Sequence, residues 1–301
     1  MIHKKAVEDR EYQKPEYFLP SGRAALCLAL KQVKGKILLP SYIGLSPKEG
    51  SGVFDPVREA GTPYEFYALG KDLSIIRKEL EQKLKPQQVG ALLVIHYFGF
   101  RQNDMQYIKG LCAKRGVLLI EDCAHAFASY HRGKKLGTIG DMSIYSIHKF
   151  LPTKDGGILR INNPAISPAV SESISEHALK VLCKADIPKI SKARRANYNY
   201  LLKKIRQVVG TRPFMPKLPA GIVPLNFPII IERKDRNTVY FELLKRGIET
   251  VSLYHTLIPE IGKEYASSHL LSSKILNLPI HEGISSPDID FMVKELSKVL
   301  A

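Results

Sequence analysis

Short apolar runs alternate with helical stretches between residues 20 and 160 of the chain. Six of these runs have the length of strands: 37–42, 64–68, 91–98, 117–122, 142–148 and 158–161. Several are apolar throughout, which is typical of strands buried on both faces, whereas a strand with one face in water alternates. The segments between them predict helices at 23–34, 73–85 and 104–115. This order predicts an α/β fold with a mostly parallel central sheet and helices on both faces.

The pattern changes after residue 161. Residues 162–168 are rich in Asn, Pro and Ser and predict a loop, and a long helical stretch follows through Arg206. Three later segments predict a smaller α+β unit: 223–232, 247–253 and 287–300. We therefore expect a large α/β domain at 1–165, and a helical connection with a small C-terminal α+β domain at 166–301.

Composition and cysteine spacing limit the class of protein. Of the 301 residues, 45% are apolar and 25% are charged, as in ordinary folded globular proteins. The longest apolar run, 91–98, is interrupted by His96 and is far shorter than the roughly 18 to 20 residues that cross a bilayer. The first ten residues lack the apolar stretch of a secretory signal. The 4 cysteines are widely spaced, without zinc-finger grouping. These features predict a cytoplasmic protein with reduced thiols, no metal site and no membrane contact.

The formal net charge of +16 is the one unusual bulk property. Such a charge suits nucleic acid, a membrane surface or an anionic small substrate. Lys and Arg are spread along the chain, with modest clusters at 184–195 and 203–212, and no nucleic-acid-binding motif accompanies them. The distribution favours a substrate that carries phosphates over a nucleic acid.

Reactive side chains fall where an α/β fold places its site, at the carboxyl ends of strands and at helix N-termini. Ser21-Gly22 opens a predicted helix, whose N–H groups and dipole can hold a phosphate, although a purely structural helix start gives the same pattern. Asp122 ends an apolar strand, where a buried carboxylate needs a cation such as a protonated pyridine nitrogen. A helix N-cap or a metal ligand are the alternatives for Asp122.

A further loop carries Ser146 and Lys149 and leads to the pair Gly156-Gly157. A lysine at the mouth of a sheet can lose its proton on desolvation and react with an aldehyde, and a neighbouring Ser hydroxyl can bind a phosphate. The alternative is an ordinary surface lysine. His96 and Tyr97 follow another buried strand, where they either line the same pocket or form structural hydrogen bonds.

Taken in order, these segments resemble the fold-type I pyridoxal-phosphate enzymes of the DegT/StrS sugar aminotransferase family. The pieces in the first half that match are SGRAAL at 21–26, LLPSY at 38–42, VIHYFG at 94–99, IEDCAHA at 120–126, GTIGDMSIYSIHK at 137–149 and DGG at 155–157. The C-terminal pieces are RRANYNYLL at 194–202, RGIETVSLY at 246–254 and LNLPI at 276–280. The resemblance covers nearly the whole chain and implies the fold-type I architecture.

The resemblance also implies roles for single residues. Lys149 would hold pyridoxal 5'-phosphate covalently and act as general acid and base, and Asp122 would pair with the pyridine nitrogen. His125 would meet the phenolic oxygen of the ring. Lys149 is preferred to Lys154 because its spacing to Gly156-Gly157 matches the family pattern.

The cofactor phosphate would be bound by Ser146 and by the backbone of Gly22 and Arg23. Tyr42 takes the place of the aromatic residue that stacks on the ring in the family. The loop at 162–173 stands where the family has a segment with which a partner subunit reaches the phosphate. A homodimer is implied by the same resemblance.

The implied activity is transfer of an amino group from glutamate, or a similar amino acid, to a keto-sugar linked to a nucleotide diphosphate. Two alternatives stay open. A sugar dehydratase of the family would carry His in place of the reactive lysine, which Lys149 argues against, although His148 is adjacent. A non-catalytic or regulatory member would fit the altered partner-subunit segment.

Overall fold

The computed structural model describes residues 16–85 and 88–301. The first ten residues, on which the expectation about a secretory signal rests, lie outside these ranges. The strands are β1 (Glu16–Leu19), β2 (Lys36–Pro40), β3 (Tyr64–Tyr67), β4 (Val89–Ile95), β5 (Leu118–Asp122), β6 (Tyr130–His131), β7 (Lys134–Lys135), β8 (Met142–Ser146), β9 (Gly157–Ile161), β10 (Thr211–Pro213), β11 (Phe227–Ile231) and β12 (Ile275–Leu278). The α-helices are α1 (Gly22–Leu30), α2 (Phe54–Glu59), α3 (Arg77–Lys83), α4 (Met105–Arg115), α5 (Glu176–Lys184), α6 (Ile187–Ile205), α7 (Arg236–Lys245), α8 (Ala266–Lys274) and α9 (Ser286–Leu300).

The main sheet has seven strands in the order β1-β9-β8-β5-β4-β2-β3. From β3 to β8 every neighbouring pair is parallel. β9 is antiparallel to β8, and β1 is antiparallel to β9. The predicted α/β fold with a mostly parallel central sheet is therefore confirmed.

The centre of this sheet is covered on both faces. Leu92 and Leu93 in β4, and Leu119 and Ile120 in β5, are each 0% exposed. Because consecutive side chains of a strand point to opposite faces, full burial of neighbours requires cover on both sides. Burying one such side chain contributes roughly 1.5–3 kcal/mol. These strands thus fix the position of the polar residues that follow them.

The second half of the chain carries a three-stranded antiparallel sheet in the order β10-β11-β12. α9 packs against α6 and α7. The segment 247–253, which the sequence assigned to the smaller α+β unit, forms no regular strand, and its one pairing is an isolated bridge between Val251 and Asn277. The Asn277 side chain donates to the carbonyls of Val251 and Leu253, and so takes acceptors that a strand ladder would use. The domain boundary at residue 165 stays a prediction.

No helix among the described residues combines the length and the apolar character needed to cross a membrane.

The predicted strand at 91–98 ends earlier than expected. β4 stops at Ile95, and the chain turns through a 3₁₀ segment at Tyr97–Gly99 in which Phe98 has φ 56 and Gly99 has φ 93. A Cβ on Gly99 would lie 2.7 Å from the carbonyl oxygens of both His125 and Val223. Apolarity alone did not indicate this turn, which brings the backbone of Phe98 close to His125.

Two glycines let β9 pass the start of α1. The Gly156 N–H donates to the Pro20 carbonyl at 2.6 Å, with Gly156 at φ 111. A Cβ on Gly157 would lie 2.2 Å from the carbonyl carbon and oxygen of Ser21 and 2.5 Å from the nitrogen of Gly22. Both neighbours are backbone atoms, so the chain itself would have to move. The glycine pair therefore allows the first residues of α1 to lie close to the end of β8.

Gly157→Ala should destabilise the protein by about 3 kcal/mol, because the added methyl group overpacks a rigid backbone contact. Gly110→Ala is the matched control: Gly110 lies within α4 with nothing within 4 Å of its added Cβ, so the change should stabilise by roughly 0.5–1 kcal/mol. Urea unfolding of both variants measures the effect. Equal stability of Gly157→Ala and wild type would contradict the close approach.

Candidate functional site

Successive residues of β5 divide the end of the main sheet into two faces. Asp122 pairs in register with Ile144 of β8, and Glu121 pairs with Ser143. Since side chains two residues apart share a face, Asp122 lies on the same face as Ser146, and Glu121 lies on the opposite face. We call the first the Asp122 face, defined by Asp122 and Ser146.

Asp122 is a buried carboxylate with spare hydrogen-bonding capacity. It is 5% exposed, and its Oδ1 accepts the N–H of Ala124 at 2.8 Å. Its Oδ2 accepts no hydrogen bond from the residues that the structure describes. Burial raises the pKa of Asp122, against the opposing effects of the Ala124 N–H, Lys149 and His96. A buried carboxylate in this state is well suited to hold a cation or a strong donor.

Lys149 follows β8 and has a half-buried side chain. Burial lowers the pKa of the Lys149 amine, Asp122 and Glu49 raise it, and Arg23 lowers it further. Within the described ranges, no carboxylate oxygen lies within 4.0 Å of this amine, so it forms no ion pair. Lys149 and Asp122 therefore influence each other without touching. A desolvated amine is more readily neutral, and hence nucleophilic, than an exposed one.

His125 is buried in one fixed protonation state. It is 5% exposed, and its Nδ1 accepts the N–H of Phe98 at 3.2 Å. Burial, and then the neighbouring Lys149, hold the pKa of His125 well below its usual value. The ring is consequently neutral near pH 7, and because Nδ1 is an acceptor, the proton sits on Nε2. His125 therefore offers an Nε2–H donor.

The start of α1 meets the end of β8. A Cβ on Gly22 would lie 3.3 Å from the Cβ and 3.5 Å from the Oγ of Ser146. Ser21 caps α1 by accepting the Ala24 N–H at 3.1 Å, and the first helical bond runs from Ala25 N–H to the Ser21 carbonyl. The N–H groups of Gly22 and Arg23 precede this bond, so they can bind an anion together with the Ser146 hydroxyl.

Two side chains at this junction have further partners. The Arg23 guanidinium donates to the Glu49 carbonyl. The Ser146 hydroxyl lies 3.1 Å from His148 Nδ1. His148 itself is exposed, in contrast to Lys149.

Tyr42 and Tyr254 form a stacked pair beside His125. Tyr42 is 0% exposed, and its ring centroid lies 4.8 Å from that of Tyr254 at an interplanar angle of 26°. The Tyr254 ring lies edge-on to His125 at 5.9 Å. Tyr254 has φ 59, a backbone conformation that costs about 1–3 kcal/mol for a non-glycine residue and persists where packing holds it. The stacking role assigned to Tyr42 stays a prediction, and Tyr254 is in contact with both Tyr42 and His125.

The opposite face carries a compact polar network. His96 Nε2 and Glu121 Oε2 lie 2.8 Å apart, at 0% and 1% exposure, and Glu121 also accepts the N–H groups of Ile139 and Gly140. His96, Glu121 and Cys123 place three potential metal-binding atoms within 4.8 Å of one another. Glu121 already accepts hydrogen bonds from three donors, so hydrogen bonding explains why these side chains lie together without a metal ion. His96 is thus structural and does not line the Asp122 face.

A cavity of about 650 Å³ lies along the loop that carries Lys149. Its lining comes from His148, the segment 151–155 and His177 at the start of α5. The predicted alternative Lys154 lies in this lining, beyond the turn that contains Lys149.

Solved structures share this fold along almost the whole chain. The aminotransferase TlmJ from Streptoalloteichus hindustanus is similar at a TM-score of 0.79 and 24% identity, over 95% of this chain and 86% of that one. The putative sugar aminotransferase Spr1654 from Streptococcus pneumoniae, in its PLP form, is similar at a TM-score of 0.82 and 17% identity, with the same coverage of 95% and 86%. The fold-type I architecture is therefore confirmed.

Sequence comparison relates part of the chain to a known family. Residues 69–186 match the DegT/DnrJ/EryC1/StrS aminotransferase family. The UDP-4-amino-4,6-dideoxy-N-acetyl-beta-L-altrosamine transaminase of Campylobacter jejuni (serotype O:23/36) is 30% identical over 200 residues, 64% of this chain and 50% of that protein. The GDP-perosamine synthase of Vibrio cholerae is 32% identical over 99 residues, 32% of this chain and 26% of that protein. The chain thus spans half or less of the length of these two curated relatives.

The structure brings together most of the residues that the sequence singled out. Asp122, His125, Ser146, Lys149 and the start of α1 converge at one end of the main sheet. Sequence reasoning missed Tyr254, which comes from the second half of the chain. The available signal was its position at the end of RGIETVSLY, one of the segments that resemble the family.

Asp122→Asn should stabilise the ligand-free protein at neutral pH. Burial raises the pKa of Asp122 above 3.8, the pKa of this side chain in the unfolded protein. The folded wild-type protein therefore loses stability as the pH rises from 3.8 to the pKa in the folded state. Asn keeps an acceptor for the Ala124 N–H and carries no charge. Urea unfolding at pH 4 and pH 7 measures the gain, which should be larger at pH 7.

Asp288→Asn is a control for which we expect the opposite change in stability. Hydrogen bonds from Ser285 lower the pKa of Asp288, so its contribution to stability is present above the unfolded value and is lost as the pH falls. This variant should be less stable than wild type at neutral pH. An Asp122→Asn protein that is also less stable at pH 7 would refute the description of Asp122.

Proposed function

We propose that this chain, whose residues 69–186 match the DegT/DnrJ/EryC1/StrS aminotransferase family, is a pyridoxal 5'-phosphate-dependent aminotransferase acting on a keto-sugar. The observation that carries the proposal is that the Lys149 amine and the buried Asp122 carboxylate lie near enough to act on each other electrostatically without forming an ion pair. Pyridoxal 5'-phosphate would supply an aldehyde, an electron-withdrawing ring and a phosphate. The residues present offer a partner for each of these groups.

Lys149 holds the aldehyde end and moves the proton. Its Nζ is neutral more readily than that of an exposed lysine, since burial lowers its pKa. With the cofactor and an amino-acid donor bound, the same Nζ would accept the donor's α-proton and later release it. One residue thereby serves as anchor, general base and general acid.

Asp122 and His125 orient the ring. The Asp122 carboxylate lacks a second donor in the described part of the chain, and a protonated pyridine nitrogen would fill that place and keep Asp122 ionised. His125 presents Nε2–H, because its Nδ1 is taken by the Phe98 N–H. That donor suits a phenolic oxygen.

The phosphate is assigned to the junction of α1 and β8. The N–H groups of Gly22 and Arg23 and the hydroxyl of Ser146 converge there, and Gly22 has no side chain to fill the space beside Ser146. Three hydrogen-bond donors at a helix N-terminus match the chemistry of a phosphate group.

The acceptor is proposed to be a keto-sugar linked to a nucleotide diphosphate, and the donor glutamate. The names of the two sequence relatives, an N-acetyl-altrosamine transaminase and a perosamine synthase, support an amino-sugar product. A homodimer and a cytoplasmic location stay predictions.

The dehydratase alternative requires a His in place of the reactive amine. His148 is exposed and bonded to Ser146, whereas Lys149 is the member of the pair that acts on Asp122. This placement favours the aminotransferase. A regulatory protein would differ from an aminotransferase in that it would not convert an amino-acid donor and a keto-sugar to products.

Lys149→Ala should abolish the near-visible absorption band that wild-type protein gains on incubation with pyridoxal 5'-phosphate. Lys154→Ala, the matched control five residues along the same loop, should keep the band. Absorbance titration of both variants measures the effect. Retention of the band in Lys149→Ala, with its loss in Lys154→Ala, would reverse the assignment.

Glutamate should bleach the band of the wild-type protein, as the nitrogen passes to the bound cofactor, and a keto-sugar nucleotide should restore it. Asp122→Asn should bind the cofactor but slow the bleaching by roughly 100-fold or more, because the uncharged amide no longer keeps the pyridine nitrogen protonated. Stopped-flow absorbance follows both steps. A wild-type band that no amino acid bleaches would favour the regulatory alternative.

A further inference from the structure

A second cavity lies on the opposite side of the main sheet from the Asp122 face. Its volume is about 220 Å³, and its floor is formed by His96 and Glu121. Its walls include the hairpin of β6 and β7 and the segment that leads into α4. We call it the basic cavity, because its lining includes, besides His96, the basic residues Arg101, His131, Arg132, Lys134 and Lys135.

The positive charge of this cavity is not neutralised within the described ranges. Arg101, Arg132, Lys134 and Lys135 form no ion pair there with any carboxylate. Glu121 is the one carboxylate in the lining, and its oxygens are occupied by His96 and by two backbone N–H groups. The cluster thus presents donors without matching acceptors.

Arg101 is the group most in need of a ligand. Its Nε is buried and has no hydrogen-bond partner among the described residues. Burial lowers the pKa of Arg101, Glu121 raises it, and Arg132 lowers it further. A buried guanidinium N–H without an acceptor is costly, so an anion in the cavity would satisfy it.

The hairpin turn aims a second guanidinium at the same place. Arg132 has φ 49 and Gly133 has φ 76, the conformation of a tight two-residue turn that favours Asn or Gly at both positions. An arginine there is held in a strained backbone conformation. Burial, and then Arg101 and Arg132, lower the pKa of His131, and all three of these side chains line the basic cavity.

Lys135 has a different surrounding. Its ammonium group lies over the rings of Phe127 and Tyr145, at 4.8 Å and 4.5 Å from the centroids. These contacts hold the charge beside the cavity without an acid.

We propose that the basic cavity is a binding site for a phosphate-bearing anion, separate from the cofactor phosphate site. Its 220 Å³ is below the roughly 300–1,000 Å³ of sites for whole small molecules, so it fits inorganic phosphate or the diphosphate end of a larger metabolite. Arg101 supplies the buried donor, and Arg132 and Lys134 close over the anion from the hairpin. The site does not depend on the proposed aminotransferase activity, because its floor lies on the other face of the sheet.

The test is calorimetric titration of the full chain, saturated with pyridoxal 5'-phosphate, with inorganic phosphate and with pyrophosphate at low salt. Arg101→Gln and Arg132→Gly should each weaken binding about tenfold or more, as expected for loss of a charge-assisted hydrogen bond. Arg132→Gly is a safe variant for folding, because glycine suits its positive φ. Tighter binding of pyrophosphate identifies a diphosphate end, and equal binding identifies a single phosphate; either result supports the site.

Two control variants distinguish an anion bound in the basic cavity from one bound elsewhere on the protein. Lys114→Gln removes an exposed charge at the end of α4 and should leave binding unchanged, and Ser146→Ala alters the assigned cofactor phosphate site and should do the same. Loss of binding in Ser146→Ala alone would show that the anion occupies the cofactor site and would overturn the proposal. An equal loss of binding in all four variants would also overturn the proposal. So would the absence of binding to the wild-type protein at 10 mM ligand, about a hundred times a Kd of 0.1 mM.

Discussion

The site depends on the burial of two opposite charges that do not touch. Asp122 is buried and Lys149 is half-buried, and burial raises the pKa of the carboxylate and lowers the pKa of the amine. Each shift means that the folded chain disfavours the ionised group, and so each lowers stability near neutral pH. A group placed between them that offers a cation to Asp122 and an aldehyde to Lys149 would relieve both costs. The empty hydrogen-bonding positions of the site are thus the physical basis of its proposed chemistry.

The period of two along β5 lets one strand serve two purposes. Asp122 faces the proposed cofactor, while Glu121, its neighbour in sequence, is bound on the other face by His96 and two backbone N–H groups. The saturated Glu121 network anchors the segment 137–140, which precedes β8, and thereby helps to position Ser146 and Lys149. The same network closes the floor of the basic cavity. A one-residue shift in the register of β5 would exchange these roles and abolish both sites.

Much of the fold and of the site follows from local sequence signals. The apolar runs predicted all of the central strands of the main sheet, because strands buried on both faces need continuous apolar sequence. Asp122, Ser146 and Lys149 could be named because they directly follow or end such runs. Tyr254 could not be found in this way, since its place beside His125 arises from a contact between distant parts of the chain. The turn at Phe98 and the irregular segment around Val251 depend likewise on tertiary partners, namely the carbonyls near Gly99 and the side chain of Asn277.

Peptide mapping after chemical reduction tests the central claim most directly. Borohydride reduction of the protein loaded with pyridoxal 5'-phosphate fixes the cofactor to whichever amine holds it, and mass spectrometry of the digest then identifies that residue. We expect one modified peptide, with the added mass on Lys149. Modification of Lys154 or of scattered surface lysines, with Lys149 unmodified, would contradict it.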